Sequence, residues 1–254
     1  MTLPNPFRAT LAAPRAPTGT WIMSGSPAVT EMMGALGWEF AVIDLEHAPI
    51  GLGDLPHHLR ALAGYATAPV VRMPGQDAVL AKQVLDAGAH TLMFPWVETV
   101  EQARHVAAAT RYPPAGFRGF ARMNRASRYT TIGDYFARAN GEVFVIAQLE
   151  TPQAIGRLEE IGAVPGIDAV FLSPGDLAVN MGQAGNVAHP EVRELMAKAL
   201  ERCRARNLCV GTVLPTVEQV RWALDGGCRF AAIASDMGFL LGAATAARKA
   251  LAGP

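Results

Sequence analysis

The chain has 254 residues, 50% of them hydrophobic and 17% charged. Lysine plus arginine equals aspartate plus glutamate at 22 each, so no net field draws nucleic acid or an anionic membrane. That length suits one large domain such as an α/β barrel, and the balanced charge points to a small-molecule partner.

In chain order, the first eighteen residues are rich in Pro and Ala with scattered Arg, and they lack an apolar stretch of secretory type. They read as an N-terminal arm (1–18) without an assigned role, ahead of one barrel domain (19–254). Short apolar runs then alternate with longer Ala- and Leu-rich segments. The candidate strands start at Thr20 (TWIMS), Phe40 (FAVIDLE), Pro69 (PVVRM), His90 (HTLMF), Val143 (VFVIAQLE), Asp168 (DAVFLS), Leu208 (LCVGTVL) and Arg229 (RFAAIAS). Helical spacing follows, as in Asp77–Asp86, Val100–Ala109, Pro190–Arg206 and Glu218–Asp225. Glycines before several runs (LDAGAHTLMF, LDGGCRFAAIAS) suit helix C-caps feeding a sheet covered on both faces. Eight such alternations predict an α/β fold, a single (β/α)8 TIM barrel, with a doubly wound open sheet as the alternative. The long connection from Arg111 to Gly141 reads as an active-site loop with a short helix. Phe230 to Ala247 is apolar, but Asp236 and small residues interrupt it, which favours a strand and a helix over a membrane span. Cys203, Cys209 and Cys228 lack metal-ligand spacing and read as buried thiols of a cytoplasmic protein.

Barrel enzymes build their sites at the C-terminal ends of strands. Strand two ends in Asp44, Glu46 and His47; strand three delivers Arg72; strand five ends at Gln148 and Glu150; strand six runs into Asp176; strand seven supplies Thr212; and strand eight ends at Asp236. A buried charge is costly unless paired or metal-bound, so this many on one rim favours function over packing. Glu150 and Asp176 offer oxygen-only ligation suited to a divalent ion, Mg²⁺ or Mn²⁺ first. Arg72 presents a fixed fork of donors to a carboxylate or a developing oxyanion. His47 titrates near neutrality and is the candidate general acid/base, with Asp44 to orient it or share a water. Lys82, Lys198 and Lys249 fall in predicted helices, away from where a Schiff-base aldolase needs its lysine. His57, His58, His90, His105 and His189 read as structural.

The stretches VIDLEHAP, VVRMP, LDAGA, ATRYPPAGFRG, RASRY, QLETPQAI, GIDAVFLSPGDLAVNMG and GNVAHPEV resemble, in order across Thr20 to Ala250, the HpcH/HpaI aldolases of the 4-hydroxy-2-oxoheptanedioate type. The resemblance implies a metal-dependent class II pyruvate aldolase of aromatic-compound catabolism. Such an enzyme cleaves 4-hydroxy-2-oxo acids to pyruvate and an aldehyde through an enolate. It also implies a homohexamer, a trimer of dimers with the last helix exchanged between subunits, and a divalent cation (Mg²⁺ or Mn²⁺, with Co²⁺ or Zn²⁺ as further candidates). On this resemblance Glu150 and Asp176 are the metal ligands, and Gln148, Ser173 and Gly175 lie by the substrate. Arg72 stabilises the enolate, His47 with Asp44 moves the proton of the 4-hydroxyl, and Glu46 supports them from behind. Trp21 and Val213 align with pocket walls, and Asp86 with a residue reaching a neighbouring subunit's site. Ser173 stands where the family more often has Gly. The segment RGFARMNRASRY is shorter than the usual form, with Ala121 at a common glycine. A citramalyl- or malyl-CoA lyase and a non-catalytic barrel binding a small carboxylate are the alternatives.

Overall fold

Residues 4–252 are described by the structure, a computed structural model of the chain. Eight parallel strands form a closed barrel in chain order: β1 (Thr18–Ile22), β2 (Phe40–Asp44), β3 (Ala68–Arg72), β4 (Thr91–Phe94), β5 (Phe144–Leu149), β6 (Ala169–Leu172), β7 (Val210–Leu214) and β8 (Phe230–Ser235). Closure comes from β1 pairing with β8, Thr18 beside Ala231 and Gly19 beside Ala232, which rules out the open sheet. The strand limits fall within a residue or two of expectation, although β1 begins at Thr18 rather than Thr20. The helices are α1 (Pro6–Leu11), α2 (Pro27–Ala35), α3 (Leu55–Ala61), α4 (Ala78–Asp86), α5 (Val100–Ala109), α6 (Tyr135–Glu142), α7 (Pro152–Gly156), α8 (Leu158–Gly162), α9 (Pro174–Asn180), α10 (Pro190–Ala205), α11 (Val217–Asp225) and α12 (Asp236–Ala252). Ser26, Asp77, Thr99, Thr151 and Thr216 begin five of them by accepting a first-turn N–H, as N-caps do.

Strands buried on both faces must be largely apolar, and these are, with the charged and amide side chains Asp44, Arg72 and Gln148 held to their C-terminal ends. One layer of side chains, including Phe40, Val42, Val70, Met93, Ile146, Phe171 and Phe230, fills the barrel, and a second lies between strands and helices. Gly211 is required for that filling, because a Cβ there would sit 2.2 Å from the Phe230 ring.

The arm has a role that its composition hid. Asn5 caps α1 by accepting from the Phe7 and Arg8 amides at 2.9 and 3.1 Å. Its own amide donates to the His90 and Glu142 carbonyls at 3.0 and 2.8 Å. Thus anchored, α1 drives Phe7 into the N-terminal end of the barrel. The buried ring stands edge-on to Phe40, Phe144 and Phe230 at centroid distances of 5.4, 5.3 and 5.2 Å.

The long connection contains the expected short helix, α6, and within the single chain it is fastened to the flank of the barrel. Buried Arg118 pairs with Asp86 at the end of α4 at 2.6 Å, Arg125 donates to the Ala87 carbonyl, and the Phe117 amide donates to Ala108 at the end of α5. The segment is therefore tied to the flank of its own barrel rather than to the rim where the polar strand ends lie.

At the other terminus α12 buries only Asp236, leaving Leu240 and Leu241 exposed at 64% and 69%. Among the described residues no helix is long and apolar enough to cross a membrane. Cys203 and Cys228 are buried free thiols, as expected, while Cys209 is half-buried. Burial pushes their pKa values up to about 12, 12 and 11, far from the reactive thiolate range.

Candidate active site

The parallel register places Asp44 beside Arg72 at the C-terminal ends of β2 and β3. Both side chains are buried, and their contact is bidentate: Arg72 Nε donates to Asp44 Oδ1 at 2.9 Å, and a terminal nitrogen donates to Oδ2. Asp44 Oδ1 also accepts from the Glu46 and His47 amides at 2.9 and 3.3 Å, fixing the turn after β2. Its carboxylate is thereby engaged with Arg72 and the backbone, and does not reach the His47 imidazole. The imidazole instead lies 3.8 Å from Glu46 Oε1, with 62% of its side chain exposed.

Beneath Arg72 lies the buried Trp21 ring, its centroid 5.1 Å from the guanidinium carbon. Trp21 is thus the floor that holds the arginine flat. The other side of the fork faces Glu46 Oε2 at 3.2 Å, an ion-pair distance without an aligned hydrogen bond. Burial raises the Glu46 carboxyl above its usual range against the pull of Arg72 and His47. Part of the Arg72 fork stays free for a ligand.

The second cluster spans β5 and β6. Gln148 Nε2 donates to Glu150 Oε1 at 3.0 Å and to Ser173 Oγ at 2.7 Å, and all three side chains are buried. The Ser173 hydroxyl therefore orients Gln148 instead of capping α9. Gln148 Oε1 is buried without a partner. Asp176 follows in the first turn of α9, and Gly175 precedes it where a Cβ would meet open space. Burial pushes the Glu150 carboxyl up to about 8; the Trp96 amide opposes that shift, and the Asp176 and Glu46 carboxylates reinforce it. Two adjoining acids with a buried, unpartnered carbonyl oxygen beside them form a cation-seeking environment.

The remaining expected residues divide. Val213 is half-buried against the inner barrel core, and the register Leu149–Leu172–Thr212 sets it level with Glu150 and Ser173. Asp86 anchors Arg118 on the barrel's flank, so the single chain does not bring it to the rim. Asp236 accepts from the Met23 and Ser24 amides at 2.9 and 3.1 Å, holding the β1–α2 loop. Thr212 donates to the Leu172 carbonyl at 2.9 Å. His58 is a core residue bonded to Thr30 at 2.7 Å, and His189 caps α10, as their neighbours in sequence suggested.

Three contributors escaped the sequence reading. The Trp96 amide donates to Glu150 Oε2 at 2.6 Å. Gln76 Nε2 donates to the Pro95 and Trp96 carbonyls at 3.2 and 2.7 Å. Asn180 donates to the main-chain carbonyls of Glu150 and Asp176 at 3.2 and 3.0 Å, tying the two acidic positions together. Only Asn180 carried a signal, lying four residues after Asp176 on the same helix face.

The profile of the HpcH/HpaI aldolase/citrate lyase family matches residues 17–243. A 2-dehydro-3,6-dideoxy-6-sulfogluconate aldolase from Pseudomonas putida is 45% identical over 238 residues, covering 94% of this chain and 93% of that protein. A 5-keto-4-deoxy-D-glucarate aldolase from Salmonella paratyphi C (strain RKS4594) is 39% identical over 235 residues, covering 92% of each. The crystal structure of a HpcH/HpaI aldolase/citrate lyase family protein from Burkholderia cenocepacia J2315 superposes with a TM-score of 0.94 at 35% identity, covering 98% of this chain and 100% of that one. With its carboxylate-rich rim on a closed barrel, the chain belongs to the HpcH/HpaI aldolase/citrate lyase family and is a carbon–carbon lyase of the aldolase kind.

Proposed function

We propose that this protein catalyses the reversible, divalent-metal-dependent cleavage of 4-hydroxy-2-oxo acids to pyruvate and an aldehyde. The observation that carries this reading is the buried Gln148–Glu150–Ser173 cluster beside Asp176, which shares a rim with the Asp44–Arg72 pair. Among the described residues no three His, Cys, Asp or Glu side chains are grouped to hold a metal. Glu150 and Asp176 fit a site where two carboxylates hold a hard cation and leave its other positions to water and substrate. Such an ion, Mg²⁺ or Mn²⁺ before Co²⁺ or Zn²⁺, supplies a Lewis acid at the substrate's 2-oxo acid end.

The chain's own residues divide the remaining work. Arg72, held flat by Trp21 and fixed by Asp44, presents its free N–H groups to negative charge gathering at the 2-oxo oxygen as the C3–C4 bond breaks. His47 is exposed enough to meet the 4-hydroxyl and takes its proton as the C4 oxygen becomes the aldehyde carbonyl. Glu46 stands behind His47, its Oε1 3.8 Å from the imidazole, and steadies the ring. The C3 carbon then gains a proton from solvent water, His47 returns the one it took to solvent, and addition to an aldehyde reverses each step. Gly175 contributes a first-turn amide without an intrahelical partner to the same end of the pocket.

The two curated relatives are named for 2-oxo sugar acids that carry a sulfonate or a second carboxylate at the far end. 4-Hydroxy-2-oxoheptanedioate shares that pattern. We infer that the substrate here is likewise anionic at both ends. We also infer that a second copy of the chain covers the apolar α12, in the exchanged-helix hexamer that the resemblance implies, and that Asp86 then serves a neighbour's site. Light scattering at several times the protomer mass supports this assembly, and a stable monomer contradicts it.

Exhaustive removal of divalent metal tests the chemistry. Turnover is expected to vanish and to return with Mn²⁺ or Mg²⁺, and borohydride with pyruvate is expected not to trap the enzyme. Turnover that survives metal removal overturns the reading.

A further inference from the structure

We propose that Gln76 is a positioning residue for Glu150, acting through the left-handed backbone of Trp96. This rests on the reading of Glu150 as a metal ligand. Trp96 has φ 54°, a conformation that a bulky L-residue adopts only where its surroundings impose it. Packing of the indole does not impose it, since Trp96 is 44% exposed. Hydrogen bonds do. The side-chain amide of Gln76 donates to the carbonyls of both Pro95 and Trp96, and the next amide, Val97, donates to the Gln148 carbonyl at 3.2 Å. Held between these contacts, the Trp96 N–H points at Glu150 Oε2 from 2.6 Å.

The two bonds of Gln148 and Trp96 take one oxygen each of the Glu150 carboxylate, so its plane is fixed from both edges. Gln148 lies on β5, two residues before Glu150, and its hold is local. Trp96 lies across the sheet on the β4–α5 loop, and that loop is fastened in turn by Gln76 on the β3–α4 loop, downstream of Arg72. Gln76 thereby couples the loop that follows the oxyanion-binding arginine to the orientation of the metal-binding carboxylate. Groups that orient a ligand from behind typically change metal affinity by about 10–100-fold when removed.

The test uses full-length, metal-free protein and Mn²⁺ as the probe, with binding measured by calorimetry and kcat and KM measured separately. Gln76→Ala and the better volume-matched Gln76→Met both lack the donor and are expected to weaken Mn²⁺ binding about tenfold. Thermal midpoints are expected to stay close to that of wild type. Trp96→Gly is the discriminating variant, because glycine accepts the positive φ without strain and keeps the N–H. It is expected to bind Mn²⁺ within about threefold of wild type. Wild-type affinity in both Gln76 variants overturns the proposal. So does a loss in Trp96→Gly equal to that in Gln76→Ala, which would assign the effect to the indole. A wild-type protein that takes up no Mn²⁺ overturns the metal reading beneath it.

Discussion

The two ends of the barrel are built on opposite terms. At the N-terminal end α1 drives Phe7 into a ring of aromatic edges, and Asn5 stitches that plug to β4 and α6. At the C-terminal end the chain buries Asp44, Arg72, Gln148 and Glu150, and leaves the Gln148 side-chain oxygen Oε1 without a partner among the described residues. One end lowers the energy of the folded chain, and the other stores unfavourable electrostatics where a charged ligand can relieve them. Stability and chemistry are thus separated along the barrel axis, so substitutions at the two ends should have separable effects.

The largest effects test that separation directly. Phe7→Ala is expected to cost about 3–5 kcal/mol of stability, seen in denaturant titration, with kcat per folded molecule unchanged. A parallel fall in kcat would break the distinction between the ends. Asp44→Ala strands the buried Arg72 charge and is expected to cost about 3–5 kcal/mol as well, but with loss of turnover. His47→Gln alters an exposed side chain, so the thermal midpoint should hold while kcat falls by about 10²-fold or more. An unchanged kcat would remove His47 from proton transfer.

A further effect, confined to two groups, is a pair of opposed pH slopes in the metal-free protein. Burial, with Arg118 and Arg125 nearby, lowers the pKa of His90 to about 4, so the unfolded chain binds more protons between about 4 and the ordinary value of 6.5. Stability from this group rises with pH across that window. Glu150 is raised from 4.5 to about 8, so there the folded chain binds more protons. Its contribution falls as pH rises from about 4.5 to 8. Denaturant titrations of His90→Gln and Glu150→Gln should each lose one slope and keep the other. Retention of both slopes in either variant contradicts the assigned cause.

The strands were readable because a parallel strand covered on both faces must be apolar, and the rim followed from asking what stood at the end of each run. Asp44, Arg72, Gln148, Glu150, Ser173 and Asp176 all fall there. Partnership was not readable. Proximity in sequence pairs Asp44 with His47, three residues away, but the cross-strand register gives it to Arg72. The α1 plug was lost because a short Pro-rich segment looks like a tail, although Asn5 before Pro6 is a cap followed by a first-turn proline. The length of the long connection suggests an active-site loop but not its anchorage, which the Arg118–Asp86 contact shows. Trp96 gave no signal at all, since nothing in a tryptophan announces a positive φ. Composition reports burial well. It reports which polar groups meet only through the register that brings them together.

The most direct test is pyruvate release from a 4-hydroxy-2-oxo acid anionic at both ends, comparing wild type with Glu150→Gln, each with and without Mn²⁺. Release that requires Mn²⁺ and collapses by at least about 10²-fold in the variant is the expected result. Release indifferent to both Mn²⁺ and Glu150 contradicts a metal-dependent aldolase built on this rim.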